Sequence, residues 1–125
     1  MDAAHTPFLA AIHGFCLGGG LELAMCCDVR ICSDDAKLGQ PEIKLGVFAP
    51  PASVLLPRAV GERRAAALLL TGDTFSAADA QAWGLVYKVA APEALETEAE
   101  KVVSALSGMS GAALRLAKEA MRAAR

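Results

Sequence analysis

The chain has 125 residues, which is enough for one small domain with one core, and its formal net charge is −2 with a pI near 5.6. It contains only one Trp, one Tyr and four Phe, and no basic stripe lies beside them, so the composition argues against nucleic-acid binding. Apolar residues reach 54% and mean hydropathy is +0.38. That is apolar for a domain of this size and predicts faces that further chain or a partner covers.

No membrane span, leader or metal site is predicted. Residues 3–21 carry no charged side chain, but Pro7, His13 and a run of glycines predict a strand, a turn and a helix start instead of a span. No basic segment precedes them, so a signal peptide is not expected. The four cysteines show no C-x-x-C spacing, which favours reduced, buried thiols in a cytoplasmic protein over a metal centre or disulfides.

The first third of the chain predicts strands around one helix. Residues 8–12 form a short apolar run typical of a strand buried on both faces, and glycines then predict a turn. A helix is expected over 19–27, because Leu21, Ala24 and Met25 recur at i, i+3 and i+4. Strands are predicted over 28–32 and 36–39.

The remainder is predicted to be mostly helical. A loop is expected over 40–51, and helices over 52–60, 62–70, 76–84, 93–107 and 112–124, with one strand at 85–89. Ser76 is the expected N-cap of its helix, and the last helix is expected to turn Leu114, Ala117 and Met121 to one side and Lys118 to the other. This order predicts an α/β fold with right-handed crossovers, but with too few strands to cover a sheet unaided.

The glycine turn Gly18-Gly19-Gly20 opens the first predicted helix and places Glu22 in its first turn. Exposed N–H groups at such a turn can cradle a phosphate or stabilise an oxyanion, while the structural alternative is a tight strand-to-helix turn. Neither the P-loop nor the dinucleotide fingerprint fits. The apolar neighbours of Glu22 predict a carboxylate that is buried or lines a cleft, where proton transfer is favoured.

A second carboxylate, Glu42, follows Pro41 in the next predicted loop. For Glu42 alone a surface position is the simpler expectation. Two carboxylates on either side of a cleft, however, can handle the two protons of a water addition.

The ordered set of these motifs resembles the crotonase (enoyl-CoA hydratase/isomerase) superfamily, and it covers nearly the whole chain. The matching segments lie at residues 10–14, 17–24, 27–28, 39–42, 45–46, 70–73, 76–80, 84–86 and 114–120. The resemblance implies a partial crotonase-type α/β fold, a ββα spiral whose N-terminal half is missing. Residues 1–90 would be the C-terminal half of the core, and residues 91–125 the start of a helical oligomerisation region.

The resemblance also implies an acyl-CoA site without metal or further cofactor, since coenzyme A is part of the substrate. By position, Gly19 would give one of two oxyanion N–H groups, and Glu22 and Glu42 would activate water and deliver its proton. The substrate-binding residues would be Gly18, Leu45, Gly46, Phe48 and Pro50. Because both glutamates are present, a hydratase is favoured over an isomerase or hydrolase of the same superfamily.

Two departures from the family pattern shape the expectation. The glycine-rich segment after the second glutamate is replaced by residues 47–53, where Pro50 and Pro51 stiffen the bend, and this is similar to the branch acting on cyclic dienoyl-CoA thioesters in aromatic-acid degradation. Family members are also about twice as long and form trimers and hexamers. We therefore expect a fragment with little activity alone, or a non-catalytic half-domain that acts by docking on a partner chain.

Overall fold

The computed structural model describes residues 5–124 and shows six short strands with six α-helices. The strands are β1 (Leu9–Ile12), β2 (Phe15–Leu17), β3 (Val29–Ser33), β4 (Lys37–Gly39), β5 (Thr74–Ser76) and β6 (Lys88–Ala90). The helices are α1 (Gly19–Met25), α2 (Pro50–Val60), α3 (Glu62–Thr71), α4 (Ala77–Ala82), α5 (Leu95–Ser107) and α6 (Gly111–Ala123). Two 3₁₀ helices occupy Pro41–Leu45 and Pro92–Ala94.

The strands form two three-stranded sheets, and the chain alternates between them. The first sheet has the order β1-β3-β6 and is parallel throughout. The second has the order β2-β4-β5, with β2 and β4 parallel and β5 antiparallel to β4. The chain therefore adds β1 to the first sheet and β2 to the second. After α1 it adds β3 to the first sheet and β4 to the second. The α/β fold class is confirmed, and within the described residues only helices follow Ala90.

Two strands were not predicted, β2 and β5. Each has three residues and lies directly beside turn or helix-cap signals, which obscure the alternation typical of a strand. The residues of β2 lie between Gly14 and Gly18, both with positive φ, so the sequence there resembles a turn. Ser76 ends β5 and, as predicted, caps α4, because its Oγ accepts a hydrogen bond from the Asp79 N–H.

One core joins the sheets to the helices. Its largest fully buried apolar residues come from different elements, and α1 contributes Leu21, Ala24 and Met25, the face that its spacing predicted. Leu38 of β4, Leu56 of α2 and Leu85 are also enclosed. The core therefore holds α1 and α2 in fixed positions against the sheets.

The predicted loop over 40–51 is wrong at both ends. Residues 41–45 form a 3₁₀ helix, and α2 begins at Pro50, two residues before the predicted start. Proline suits the first positions of a helix because its fixed φ matches and its absent N–H would have no intrahelical partner. The pair of prolines therefore starts a helix.

The predicted face of α6 is also wrong. Lys118 is buried, with Nζ 2.9 Å from Asp28 Oδ2 and 3.0 Å from the Thr6 carbonyl oxygen, whereas Met121 is 62% exposed. Asp28 Oδ2 also accepts from the Phe8 N–H at 2.8 Å. This buried ion pair turns the lysine side of α6 inward and leaves apolar residues outside. None of the helices in residues 5–124 is long and apolar enough to cross a bilayer.

Candidate active site

Gly18 is the point where the two predicted site segments meet. Its N–H donates to the Gly39 carbonyl at 3.0 Å, and its own carbonyl accepts from the Glu22 N–H at 3.0 Å and from Gln40 Nε2 at 3.1 Å. Its backbone has φ 55° and ψ −125°, a conformation that favours glycine. The turn before α1 is thereby bonded directly to the segment that carries the second glutamate.

Glu42 lies in the 3₁₀ helix, with its carboxylate against this turn. A Cβ placed on Gly18 would lie 3.3 Å from Glu42 Oε2, so the absence of a side chain at Gly18 makes room for the carboxylate. Glu42 Oε1 is buried and finds no hydrogen-bond partner within the described residues, and Gln40 Oε1 is in the same position. A buried carboxylate oxygen without a donor is costly, so a donor such as a water molecule would be favoured here.

Glu22 is held by the N-terminus of α2. Its Oε2 accepts a hydrogen bond from the Ala52 N–H at 2.9 Å. Pro50 and Pro51 have no N–H, so Ala52 carries the first N–H of α2, and it points at the carboxylate. The positive end of the α2 dipole adds to this bond. Because both prolines lack an N–H, the Ala52 N–H is the backbone donor that remains free at this end of α2, and it binds Glu22.

Gly19 is the first residue of α1 and is exposed. Within residues 5–124 we find no acceptor for its N–H, and a Cβ at this position would meet nothing within 4 Å. The amide is therefore accessible to a ligand atom. Its role as an oxyanion donor stays a prediction.

The five predicted substrate-binding residues do not all share one cavity. Phe48 and Glu42 both line a cavity of about 220 Å³ that Leu69 and Leu70 of α3 also border. Leu45 and Phe48 are 83% and 68% exposed, so both present apolar surface on the segment that follows Glu42. Gly46, in a left-handed conformation, ends the 3₁₀ helix, and Pro50 starts α2; neither lines that cavity, nor does Gly18.

Two contributors were not assigned from the sequence. Gln40 fastens the Gly18 carbonyl through its side-chain amide, and the Ala52 N–H fastens Glu22. Gln40 lies within the motif at 39–42, so its polar side chain between Gly39 and Pro41 was a usable signal. The Ala52 donor is a backbone group, and no residue type reveals it.

Among residues 5–124, the buried thiols and the possible metal ligands do not form a competing site. Burial raises the pKa of the Cys32 thiol to about 11, from an ordinary 9.0, and burial also raises the pKa of Cys16. Both groups stay protonated at neutral pH, as expected for structural thiols. In the part of the chain that the structure describes, no three His, Cys, Asp or Glu side chains come close enough to hold a metal ion.

With this geometry in place, comparison with known proteins gives a consistent result. The family model described as enoyl-CoA hydratase/isomerase matches residues 2–125. A probable enoyl-CoA hydratase of Mycobacterium tuberculosis is 50% identical over 125 residues, covering 99% of this chain and 49% of the relative. A crotonyl-CoA hydratase of Syntrophomonas wolfei is 45% identical over 121 residues, covering 96% of this chain and 46% of the relative.

Solved structures agree. A crystal structure of enoyl-CoA hydratase subunit I from Geobacillus kaustophilus superposes with a TM-score of 0.96 at 39% identity, covering 98% of this chain and 48% of that chain. The chain therefore spans about half the length of the curated relatives and the solved structure that it matches.

Proposed function

The chain belongs to the enoyl-CoA hydratase/isomerase family, and on that premise we propose that it supplies the acid/base carboxylates of an enoyl-CoA hydratase. The reaction adds water across the double bond of an α,β-unsaturated acyl-CoA thioester. One observation carries the proposal: both glutamates lie at the same glycine turn. The Glu22 N–H donates to the Gly18 carbonyl and its Oε2 accepts from the Ala52 N–H, while the Glu42 carboxylate lies against Gly18.

The proposed chemistry needs no oxidant or reductant. One carboxylate takes a proton from water as the water oxygen bonds to the β carbon, and a proton is delivered to the α carbon. Before that delivery the electron pair of the double bond shifts towards the thioester, and negative charge develops on its carbonyl oxygen, where backbone N–H groups stabilise it. The pair returns to bond the delivered proton at the α carbon, and the carbonyl re-forms. We assign one of these donors to Gly19. The second would come from outside these 125 residues.

The environments of the two carboxylates support their assignment to the two proton transfers. Glu42 Oε1 is buried without a donor among residues 5–124, so it can accept a hydrogen bond from a reacting water. Glu22 Oε2 is occupied by the Ala52 N–H, which fixes its orientation while leaving the other oxygen to act. A carboxylate that accepts from a backbone N–H and one whose buried oxygen has no donor lie in different environments, and such a pair can take different protonation roles in one cycle.

The class of acyl substrate is proposed from two features, the exposed apolar residues after Glu42 and the proline pair at the start of α2. The exposed Leu45 and Phe48 offer apolar surface for an acyl chain. Because Pro50 and Pro51 replace a flexible glycine-rich segment with the rigid start of α2, we propose a cyclic dienoyl thioester as the preferred substrate. A side-by-side rate comparison with crotonyl-CoA decides this, and a preference for the linear substrate would contradict it.

We further propose that the complete enzyme is a cytoplasmic homotrimer or hexamer and that this chain alone turns over slowly. Half of the family length is not represented here. A specific rate for the isolated chain equal to that of a full-length relative would contradict the proposal.

The test is hydration of crotonyl-CoA, assayed with the chain alone and after mixing with the part of the M. tuberculosis relative that lies outside the matched residues. Glu22→Gln and Glu42→Gln are each expected to remove hydration, while Glu62→Gln, at an exposed position on α3, serves as the matched control. Unchanged rates in both site variants would refute the proposal. If the Glu42→Gln variant still isomerises a β,γ-enoyl thioester, the isomerase alternative is favoured.

A further inference from the structure

Glu42 borders two different spaces. Its carboxylate lies against the glycine turn, with Oε2 3.3 Å from where a Cβ on Gly18 would stand, and the residue also lines the cavity of about 220 Å³ beside α3. Gly18 and Gly19 do not line that cavity. A group held in the cavity would therefore lie next to the Glu42 carboxylate but apart from the exposed Gly19 amide.

The lining of this cavity suits an uncharged, apolar group. Among the described residues that line it, Glu42 alone carries a charge. Its two other polar side chains already have bonds, because Gln40 Nε2 donates to the Gly18 carbonyl and Ser53 Oγ donates to the Ala49 carbonyl at 2.8 Å. Glu42 would repel the phosphates of a coenzyme A thioester, whereas the acyl part suits an apolar pocket. The apolar lining residues are Ile43, Phe48, Ala49, Ala66, Leu69 and Leu70.

The volume of the cavity suits a single six-membered ring. An apolar cavity of about 150 Å³ accommodates benzene, and this one is about 220 Å³. It is smaller than the pockets of about 300–1,000 Å³ that hold drug-sized ligands. Phe48 and Leu70 are 68% and 72% exposed, whereas Ala49 is buried, so the cavity opens to solvent between the first two.

Helix α3 forms one wall of the cavity, and Ala66 is the smallest side chain on that wall. Ala65 and Leu68 of this helix are buried in the core, while Ala66, Leu69 and Leu70 line the cavity at i, i+3 and i+4. Ala66 is exposed, so a larger side chain there would enter the cavity without displacing the core. The size of the residue at position 66 therefore sets how much space remains.

We propose that this cavity binds the ring of a cyclic acyl thioester and that Ala66 is a specificity-determining residue. The proposal rests on the proposed function, since it places the reacting double bond beside Glu42. With the thioester carbonyl at the Gly19 N–H, the ring atoms beyond the double bond enter the cavity. A short linear group such as crotonyl leaves most of the cavity unfilled, so its binding depends little on residue 66.

The first experiment measures binding without reaction. The probe is the N-acetylcysteamine thioester of cyclohexanecarboxylic acid, which has no double bond to hydrate, added to the full 125-residue chain. Methyl NMR is expected to show shift changes at Ile43, Ala66, Leu69 and Leu70. Ala66→Leu is expected to weaken binding at least about tenfold, because its larger side chain takes the space of the ring. The matched control is Ala67→Leu, also exposed on α3 but outside the cavity lining, and it is expected to change the dissociation constant less than about twofold.

Turnover separates this inference from the proposed hydration. In the mixture with the unmatched part of the M. tuberculosis relative, Ala66→Leu is expected to lower kcat/KM about tenfold or more for a cyclic dienoyl thioester and less than about threefold for crotonyl-CoA. Binding of the probe without hydration of either thioester would refute only the proposed function. Equal losses on the two substrates would refute only the role of Ala66.

Circular dichroism checks that each variant is folded, and the shift map of the unsubstituted chain decides the case if Ala66→Leu is not. Methyl shifts that are absent or confined to residues outside the cavity would overturn the proposal. Equal weakening of probe binding by Ala66→Leu and Ala67→Leu would overturn it as well.

Discussion

Replacing Gly18 with alanine tests whether the glycine turn is built around the Glu42 carboxylate. An alanine would have to keep φ 55° and ψ −125°, a backbone conformation that costs a residue with a side chain about 1–3 kcal/mol. Its Cβ would also lie 3.3 Å from Glu42 Oε2, so the carboxylate would have to move by a few tenths of an ångström. We expect a loss of about 2–3 kcal/mol in the free energy of unfolding.

Gly20→Ala, two residues away, is the matched control. Gly20 lies in the first turn of α1, and a Cβ there would meet nothing within 4 Å. Alanine favours a helix over glycine by up to about 1 kcal/mol, so this variant is expected to be neutral or slightly more stable. Urea unfolding followed by circular dichroism measures both. If Gly18→Ala is no less stable than Gly20→Ala, the described geometry of the turn is wrong.

Three further predictions concern other contacts. Ala52→Pro removes the N–H that holds Glu22, and since a hydrogen bond to a charged group contributes about 1.5–3 kcal/mol, hydration by the reconstituted enzyme is expected to fall about tenfold or more. Lys118→Met leaves Asp28 without its buried partner and is expected to cost about 2–4 kcal/mol in urea unfolding. Because the pKa of Cys32 is raised from 9.0 to about 11, the unfolded chain loses this proton first, and stability is expected to fall by about 2 kcal/mol as pH rises from 9 to 11.

Each of these has a control. Ala52→Gly keeps the N–H and is expected to retain more hydration than the proline variant; equal losses would show that the bond to Glu22 is not what matters. Lys101→Met breaks an exposed pair with Glu98 and is expected to cost less than about 1 kcal/mol, so a similar cost at both lysines would contradict the buried pairing. Cys32→Ala is expected to flatten the stability profile above pH 9, and an unchanged slope would reject the thiol as its source.

Much of the fold could be predicted from the sequence because the patterns that indicate its helices lie within single segments. The spacing of Leu21, Ala24 and Met25 predicted the buried face of α1, and Ser76 predicted the start of α4. The strand β2 was missed because the glycines on both sides of it indicate a turn, and β5 was missed because it lies between the end of α3 and the N-cap of α4. The orientation of α6 was missed because it depends on Lys118 meeting Asp28, and such a long-range pair leaves no trace in the pattern of either segment.

The candidate site depended on the resemblance more than on the residues. Glu22 and Glu42 are two of fourteen acidic residues, and nothing in spacing alone joins them. The structure adds the reason they are held together: Gly18 accepts from both segments, and α2 offers its one free first-turn donor to Glu22. Backbone groups make most of these bonds, so side-chain identity could not reveal them.

The most direct measurement of the central claim is incorporation of ¹⁸O from labelled water into the 3-hydroxyacyl-CoA product, followed by mass spectrometry. The chain mixed with the unmatched part of the M. tuberculosis relative is expected to form the labelled product from crotonyl-CoA, and Glu22→Gln and Glu42→Gln are each expected to abolish it. If one variant forms labelled product at the rate of the unsubstituted chain, the assignment of that glutamate is contradicted. If both variants do so, the account as a whole is contradicted.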